Sequence, residues 1–297
     1  MKPVLMLLLL SLLWGSSFLW IKGLLDVFDP PSIVFIRCIF GLLILLPLVL
    51  RMPGKFNWRP GWKFVGAVSL GAAIPWTILA MALQGIDTTV SGVLNATTPL
   101  FAVVFSVFVF KMKPVWSQMM SLGIGFVAVV ILLVTSSGSS SGGFSFGHAL
   151  LMLFVTVCYA MNSLLVGRNY KDVPSVVLGF WTMLVSMILN GVLSLIVQPG
   201  AILELADMSV LGPILVLGCL CSGLGYMIFY WITSNGGPLV ALMVTFMAPF
   251  VTITLGVLIL GEPLHWGIGV GLCLMVLSLV FMNLETIKAR RLAGRGI

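Results

Sequence analysis

The chain has 297 residues, 60% of them hydrophobic and only 8% charged, with a mean hydropathy of +1.21. So little polar side chain does not cover a water-facing surface, which excludes a soluble globular protein. The formal net charge of +7 lies mostly at the ends of apolar runs, so it asks for no nucleic acid or other polyanionic partner.

A bilayer core about 30 Å thick takes about 20 apolar residues per helix. Ten such runs are legible, at roughly residues 3–22, 32–51, 62–84, 89–110, 115–135, 146–167, 174–197, 209–233, 239–261 and 265–284. They are too long and unbroken for the alternating strands of a barrel, and lipid leaves backbone groups no partners except one another. The expected fold class is therefore an all-α integral membrane protein of ten transmembrane helices. With a cytoplasmic N-terminus, thirteen of the fifteen Lys and Arg residues fall on the inner side, leaving Lys22 outside and Arg37 within a span. That imbalance places both termini inside.

The first run opens "MKPVLMLLLLSLLWGSS", which imitates a secretory signal, but the apolar stretch continues through "FLWI" and reads as an uncleaved span carrying Trp14. The second holds Arg37, about five residues in from its outer end. This arginine either snorkels outward or meets a backbone carbonyl or an anionic group of a substrate. The third run brings Trp76. The fourth, "LNATTPLFAVVFSVFVF", spoils its own first turns with an amide, two hydroxyls and Pro99. Ser91, Asn95, Thr98, Ala102 and Ser106 share one face of it. A small, polar stripe serves either close helix packing or a cavity. Asn95 and the backbone carbonyl that Pro99 frees favour the cavity, because both need partners at membrane depth.

After the fifth run comes "TSSGSSSGGFSFG", a Ser/Gly tether with its core at residues 138–145. Its Gly138, Ser140 and Gly142 match a nucleophile motif through composition alone. The tether separates a first half, residues 1–137, from a second, residues 146–297, which ends in a short basic cytoplasmic tail. The sixth run adds Tyr159 and Asn162, and the eighth adds Tyr226 and Tyr230. Laying residues 72–110 over 222–260 at an offset of 150 needs no gap and puts Trp76 on Tyr226 and Pro99 on Pro249. The ninth run answers the fourth with Ala241, Thr245, Ala248, Thr252 and Gly256 on the corresponding face. Because each half has an odd number of helices, the second enters the membrane from the opposite side, giving two inverted five-helix repeats.

Facing interrupted helices in an inverted repeat build a midplane site in many carriers. The candidate substrate-binding residues are Trp14, Arg37, Trp76, Asn95, Thr98, Tyr159, Asn162, Tyr226 and Thr245, with Pro99 and Pro249 as the helix breaks that gate the site. In the tenth run Gly267 and Gly271 have G-x-x-x-G spacing, which serves contacts within one chain or in a homodimer. All eight acids fall in loops or at helix ends, both histidines lie at helix ends, and the five cysteines read as small buried hydrophobes. No catalytic constellation, metal site or cofactor motif is legible, so an enzyme is not expected.

The stretches "LLWGSSF", "FIRCIFG", "ALQGIDTTVSGVLNATTPLFAVVFSVF" and "SNGGPLVALMVTFMAPFVTITLGVLILGEPL" make the chain resemble the drug/metabolite transporter superfamily, and specifically its bacterial EamA-type members, over nearly its whole length. The resemblance implies two inverted repeats around a central cavity, export of amino acids or other small metabolites, and signature positions at Trp14, Arg37, Pro99, Pro249 and Glu262. Many members also end the fourth helix in Gly-Glu. Here that stretch reads "FKMKP", with Lys111 and Lys113, which leaves Glu262 without a counterpart. The expected function is a multi-pass transporter of the inner membrane that moves small neutral or zwitterionic metabolites outward by alternating access, with no cofactor. An importer or exchanger of the same fold, or an assembly subunit without its own substrate, stays open.

Overall fold

A computed structural model describes residues 2–52, 60–111, 116–137 and 145–293. The helices in chain order are α1 Lys2–Leu24, α2 Pro30–Leu50, α3 Trp62–Ala82, α4 Thr88–Phe108, α5 Trp116–Ser137, α6 Phe146–Asn169, α7 Ser175–Val197, α8 Met208–Gly236, α9 Pro238–Leu260 and α10 Trp266–Ala293. Among the described residues α1 to α9 are each long and apolar enough to cross a membrane, and α10 carries a shorter apolar stretch, Trp266–Ser278. The tether expected at 138–145, apart from Ser145, and Lys113 lie outside the described residues.

The packing follows the duplication. α1 lies on α9 as α6 lies on α4, α2 packs on α8 as α7 packs on α3, and α5 pairs with α10. α1, α3, α4, α6, α8 and α9 surround the middle of the molecule. Large apolar side chains such as Leu195, Ile196 and Leu258 point outward, as a lipid-facing surface requires.

Four helices are irregular, each with a local cause. In α4 the regular turns stop at Asn95 and resume at Thr98. Pro99 has no N–H for the Asn95 carbonyl, and the Thr98 hydroxyl donates to that oxygen instead, at 2.7 Å. The chain is tightened rather than unwound there: Ala96 N bonds Val93 O at 3.1 Å and Thr97 N bonds Leu94 O at 3.0 Å, the i→i+3 pattern. The matching break in α9 is not at Pro249, which sits inside the continuous stretch Val244–Leu260, but at Met243. Sequence pairing of the two prolines therefore does not translate into paired breaks.

α3 and α8 contain π-helical turns at Ser69–Ala73 and Val216–Leu224. In α3 the Ile74 N–H reaches back five residues to Ser69 O, and in α8 Gly225 N–H does the same to Leu220 O. Within each π turn one carbonyl lacks its usual partner: in α3 it is Gly71 O, because Pro75 has no N–H to give it, and in α8 it is Cys221 O, which the Gly225 N–H skips.

Glu262 has a definite place. Its Oε1 accepts from Thr88 N at 2.7 Å, and its Oε2 accepts from Thr89 N at 2.8 Å and from the Thr88 hydroxyl at 3.0 Å. A carboxylate from the second half thus caps the N-terminus of α4 in the first, where free N–H groups and the helix dipole favour a negative charge. Gly256 is what admits it: a Cβ there would lie 2.6 Å from Glu262 Oε2. The neighbouring Asp87 carboxyl is pushed up by burial and by Glu262, against the pull of Lys22.

Gly261 ends α9 in the left-handed conformation, φ 67°, and its counterpart Lys111 ends α4 the same way, φ 54°. A side chain is strained there. Lys111→Gly is expected to stabilise the protein by about 1 kcal/mol, read as a higher midpoint of thermal unfolding in detergent.

Candidate functional site

Where the two halves meet, a small cavity of about 40 Å³ lies between six helices and α2. Large, polar-tipped side chains surround it, while small residues on the same helices draw them together beside it. A Cβ on Gly15 would lie 2.7 Å from Ala248 O, and one on Gly92 would lie 3.1 Å from Thr252 Cβ. The Thr252 hydroxyl donates to Gly15 O at 2.9 Å. So the small-residue stripe divides its work: Gly92, Thr252 and Gly256 pack α1, α4 and α9 together, and Asn95 and Thr245 reach the cavity.

Six aromatic side chains form much of the wall. Trp14 and Phe229 have ring centroids 5.1 Å apart, Trp14 and Tyr226 5.5 Å, and Trp76 meets Tyr226 edge-on at 5.2 Å. Two of their polar tips are anchored on backbone carbonyls within the π turns. The Tyr226 hydroxyl donates to Gly71 O, and Trp14 Nε1 donates to Cys221 O at 3.0 Å. Gly71 and Cys221 are 150 positions apart, so equivalent carbonyls in the two repeats each hold an aromatic from the opposite half. Asn162 Nδ2 donates to Ala67 O at 2.8 Å, just before the first π turn. Glycine is required for both approaches, since a Cβ at Gly71 would sit 2.8 Å from Asn162 Nδ2 and one at Gly225 2.8 Å from Trp14 Nε1.

Arg37 is 3% exposed, so it does not snorkel. Its guanidinium carbon lies 3.6 Å from the centroid of the Trp76 ring, a cation–π contact. Its Nε donates to the Ser222 hydroxyl at 2.8 Å. Among the described residues no carboxylate pairs with it. Asn95 brings a second unmet demand, because its Oδ1 is buried and has no hydrogen-bond donor. The cavity therefore presents a cation and an acceptor, both held among aromatic faces. This arrangement suits a small molecule with an anionic oxygen group and a separate N–H or O–H donor.

Of the candidate binding residues, Trp14, Arg37, Trp76, Asn95, Tyr159, Asn162, Tyr226 and Thr245 line this one cavity, and Thr98 does not. The Thr98 hydroxyl is spent on Asn95 O, a consequence of Pro99. Ser17, Phe18 and Phe229 line the cavity without a sequence signal that separates them from other helix residues. Ser222 also escaped notice, although the cluster of Gly218, Gly223 and Gly225 around it marks a place where another helix comes close. Among the described residues no group of His, Cys, Asp and Glu has a metal-binding arrangement.

Comparison with known proteins gives a consistent picture. The model of the "EamA-like transporter family" matches residues 1–134 and again 147–284. The chain is 24% identical over 306 residues to "Uncharacterized transporter YvbV" of Bacillus subtilis, covering 100% of this chain and 96% of that one. It is 24% identical over 285 residues to "Uncharacterized inner membrane transporter YedA" of Escherichia coli K12, covering 93% and 88%. A solved crystal structure superposes with a TM-score of 0.70 at 17% identity over 98% of each chain, which supports the fold.

Proposed function

The chain belongs to the EamA-like transporter family, and from that premise we propose that it carries small zwitterionic or neutral metabolites, amino acids or molecules of like chemistry, outward across the bacterial inner membrane. The observation that carries this reading is the pairing of a buried, acid-free Arg37 with the unpartnered Asn95 Oδ1 across one aromatic cavity. A carboxylate answers the first and an ammonium or hydroxyl the second. The inner membrane is the location given for the Escherichia coli relative, and the side on which Lys and Arg gather agrees with both termini lying in the cytoplasm. Access from either side would alternate by rocking one five-helix half against the other, with the cavity at their interface.

The test is export. Cells loaded with isotope-labelled neutral amino acids and expressing the protein should enrich a few of them in the medium, and Asn95→Leu should abolish that enrichment while remaining in the membrane at normal abundance. Leucine matches the amide in size but offers no acceptor. Full export by Asn95→Leu would remove Asn95 from the site, and accumulation inside the cell in place of export would reverse the direction.

A further inference from the structure

Arg37 is held at two points, the Trp76 face from α3 and the Ser222 hydroxyl from the π turn of α8. We infer that Ser222 is a positioning residue for Arg37: by taking the Nε hydrogen it fixes the roll of the guanidinium and leaves both Nη nitrogens for the carboxylate of a substrate. The inference rests on the reading that Arg37 meets such a group.

The direction of the bonds is the first support. The Ser222 hydroxyl donates to Leu217 O at 2.7 Å, so only its lone pairs remain for the arginine. Arg37 Nε–H, Ser222 Oγ–H and Leu217 O thus form a relay that runs one way. Serines on ordinary turns of this protein reach the carbonyl three or four residues back, as Ser17 does to Trp14 and Ser11 to Leu7. Ser222 reaches five residues back. The π register therefore decides where its oxygen sits, and an unperturbed α8 would turn the hydroxyl away from α2.

Close approach is the second. A Cβ on Gly218 would lie 2.9 Å from Arg37 O, and one on Gly223 would lie 2.9 Å from Gly41 O. These two glycines let α2 settle on the π turn so that a side chain as short as serine spans the gap to Nε. The third is the absence of competition, since neither Nη nitrogen has an acceptor among the described residues. A planar fork binds a carboxylate through two parallel bonds, and loses less freedom in doing so when its plane is set beforehand. Ser222 and Trp76 set that plane from an edge and a face.

The test is a mutant cycle on the full-length protein in nanodiscs. Trp76 emission is isolated by subtracting the spectrum of the same protein carrying Trp76→Phe, which makes the readout independent of the substrate's identity. Ser222→Ala is expected to shift this emission and, in the export assay with labelled neutral amino acids, to raise KM about tenfold with Vmax little changed. In the Arg37→Gln background the same Ser222→Ala change should shift nothing further. A shift of equal size in that background would assign Ser222 a packing role and overturn the inference, as would unaltered emission in the Arg37 background. Undiminished export by Arg37→Gln would instead overturn the carboxylate reading, while the spectroscopic cycle still decides whether Ser222 positions the guanidinium.

Discussion

Arg37→Gln is expected to lower the transport efficiency for a carboxylate-bearing substrate by about 10- to 100-fold, the equivalent of one charged hydrogen-bond pair, and to leave the protein at least as stable as before. The two halves of that result come from the same fact. A guanidinium that is 3% exposed has lost its water, and cation–π contact with Trp76 and one bond to Ser222 replace only part of it. Gln keeps much of the volume and drops the charge, so the burial penalty vanishes with it. A structural arginine would behave in the opposite way, because its loss would leave a buried carboxylate unpaired, and no carboxylate pairs with this one among the described residues. The measurement is a pair: initial rates of export with labelled neutral amino acids, and the midpoint of thermal unfolding in detergent. Lost stability with retained transport would make Arg37 a structural residue.

Glu262→Ala is expected to destabilise the protein by roughly 2–3 kcal/mol and to open the end of α4 at which it acts. The carboxylate holds Thr88 N, Thr89 N and the Thr88 hydroxyl, and Thr88 and Thr89 are at most 1% exposed. With those donors left in place and their acceptor gone, no water reaches them without local opening. Hydrogen exchange read by mass spectrometry should show faster exchange in the peptide that spans Asp87 to Val93 and little change in α5 and α10. Unchanged exchange there would mean that another group caps α4. In the first half the position that answers Glu262 is Met112, so the sequence offers no matching acid for α9.

Much of the architecture was legible because a membrane span is encoded locally. A run of apolar residues about 20 long has one stable form in lipid, and all ten predicted runs coincide with helices. The gathering of candidate residues was legible for a related reason. Polar and aromatic side chains such as Asn95, Asn162 and Tyr226 are costly against lipid tails, so they mark an interior. Their individual partners were not. Thr98 looked equivalent to Asn95 on the helical stripe, yet Pro99 draws its hydroxyl to the backbone. Pro249 matched Pro99 in position but not in effect: α9 runs on through it from Val244 to Leu260, whereas α4 breaks before Pro99. The role of Glu262 was hidden since its partners lie 174 positions away.

By itself, then, the sequence determined what each segment must do with respect to water and lipid: ten spans, their duplication, a polar interior, and a single cation inside it. Those properties follow from the transfer free energy of side chains, which depends on residue type and spacing and hardly on distant contacts. Only the tertiary structure decided the hydrogen-bond directions. The capture of the Gly71 and Cys221 carbonyls, inside the π turns at Ser69–Ala73 and Val216–Leu224, by Tyr226 and Trp14 of the opposite halves depends on helices that come within a glycine's width of each other. A hydrogen bond is short-ranged and directional, so its partner is fixed by packing, which no single segment of the chain contains.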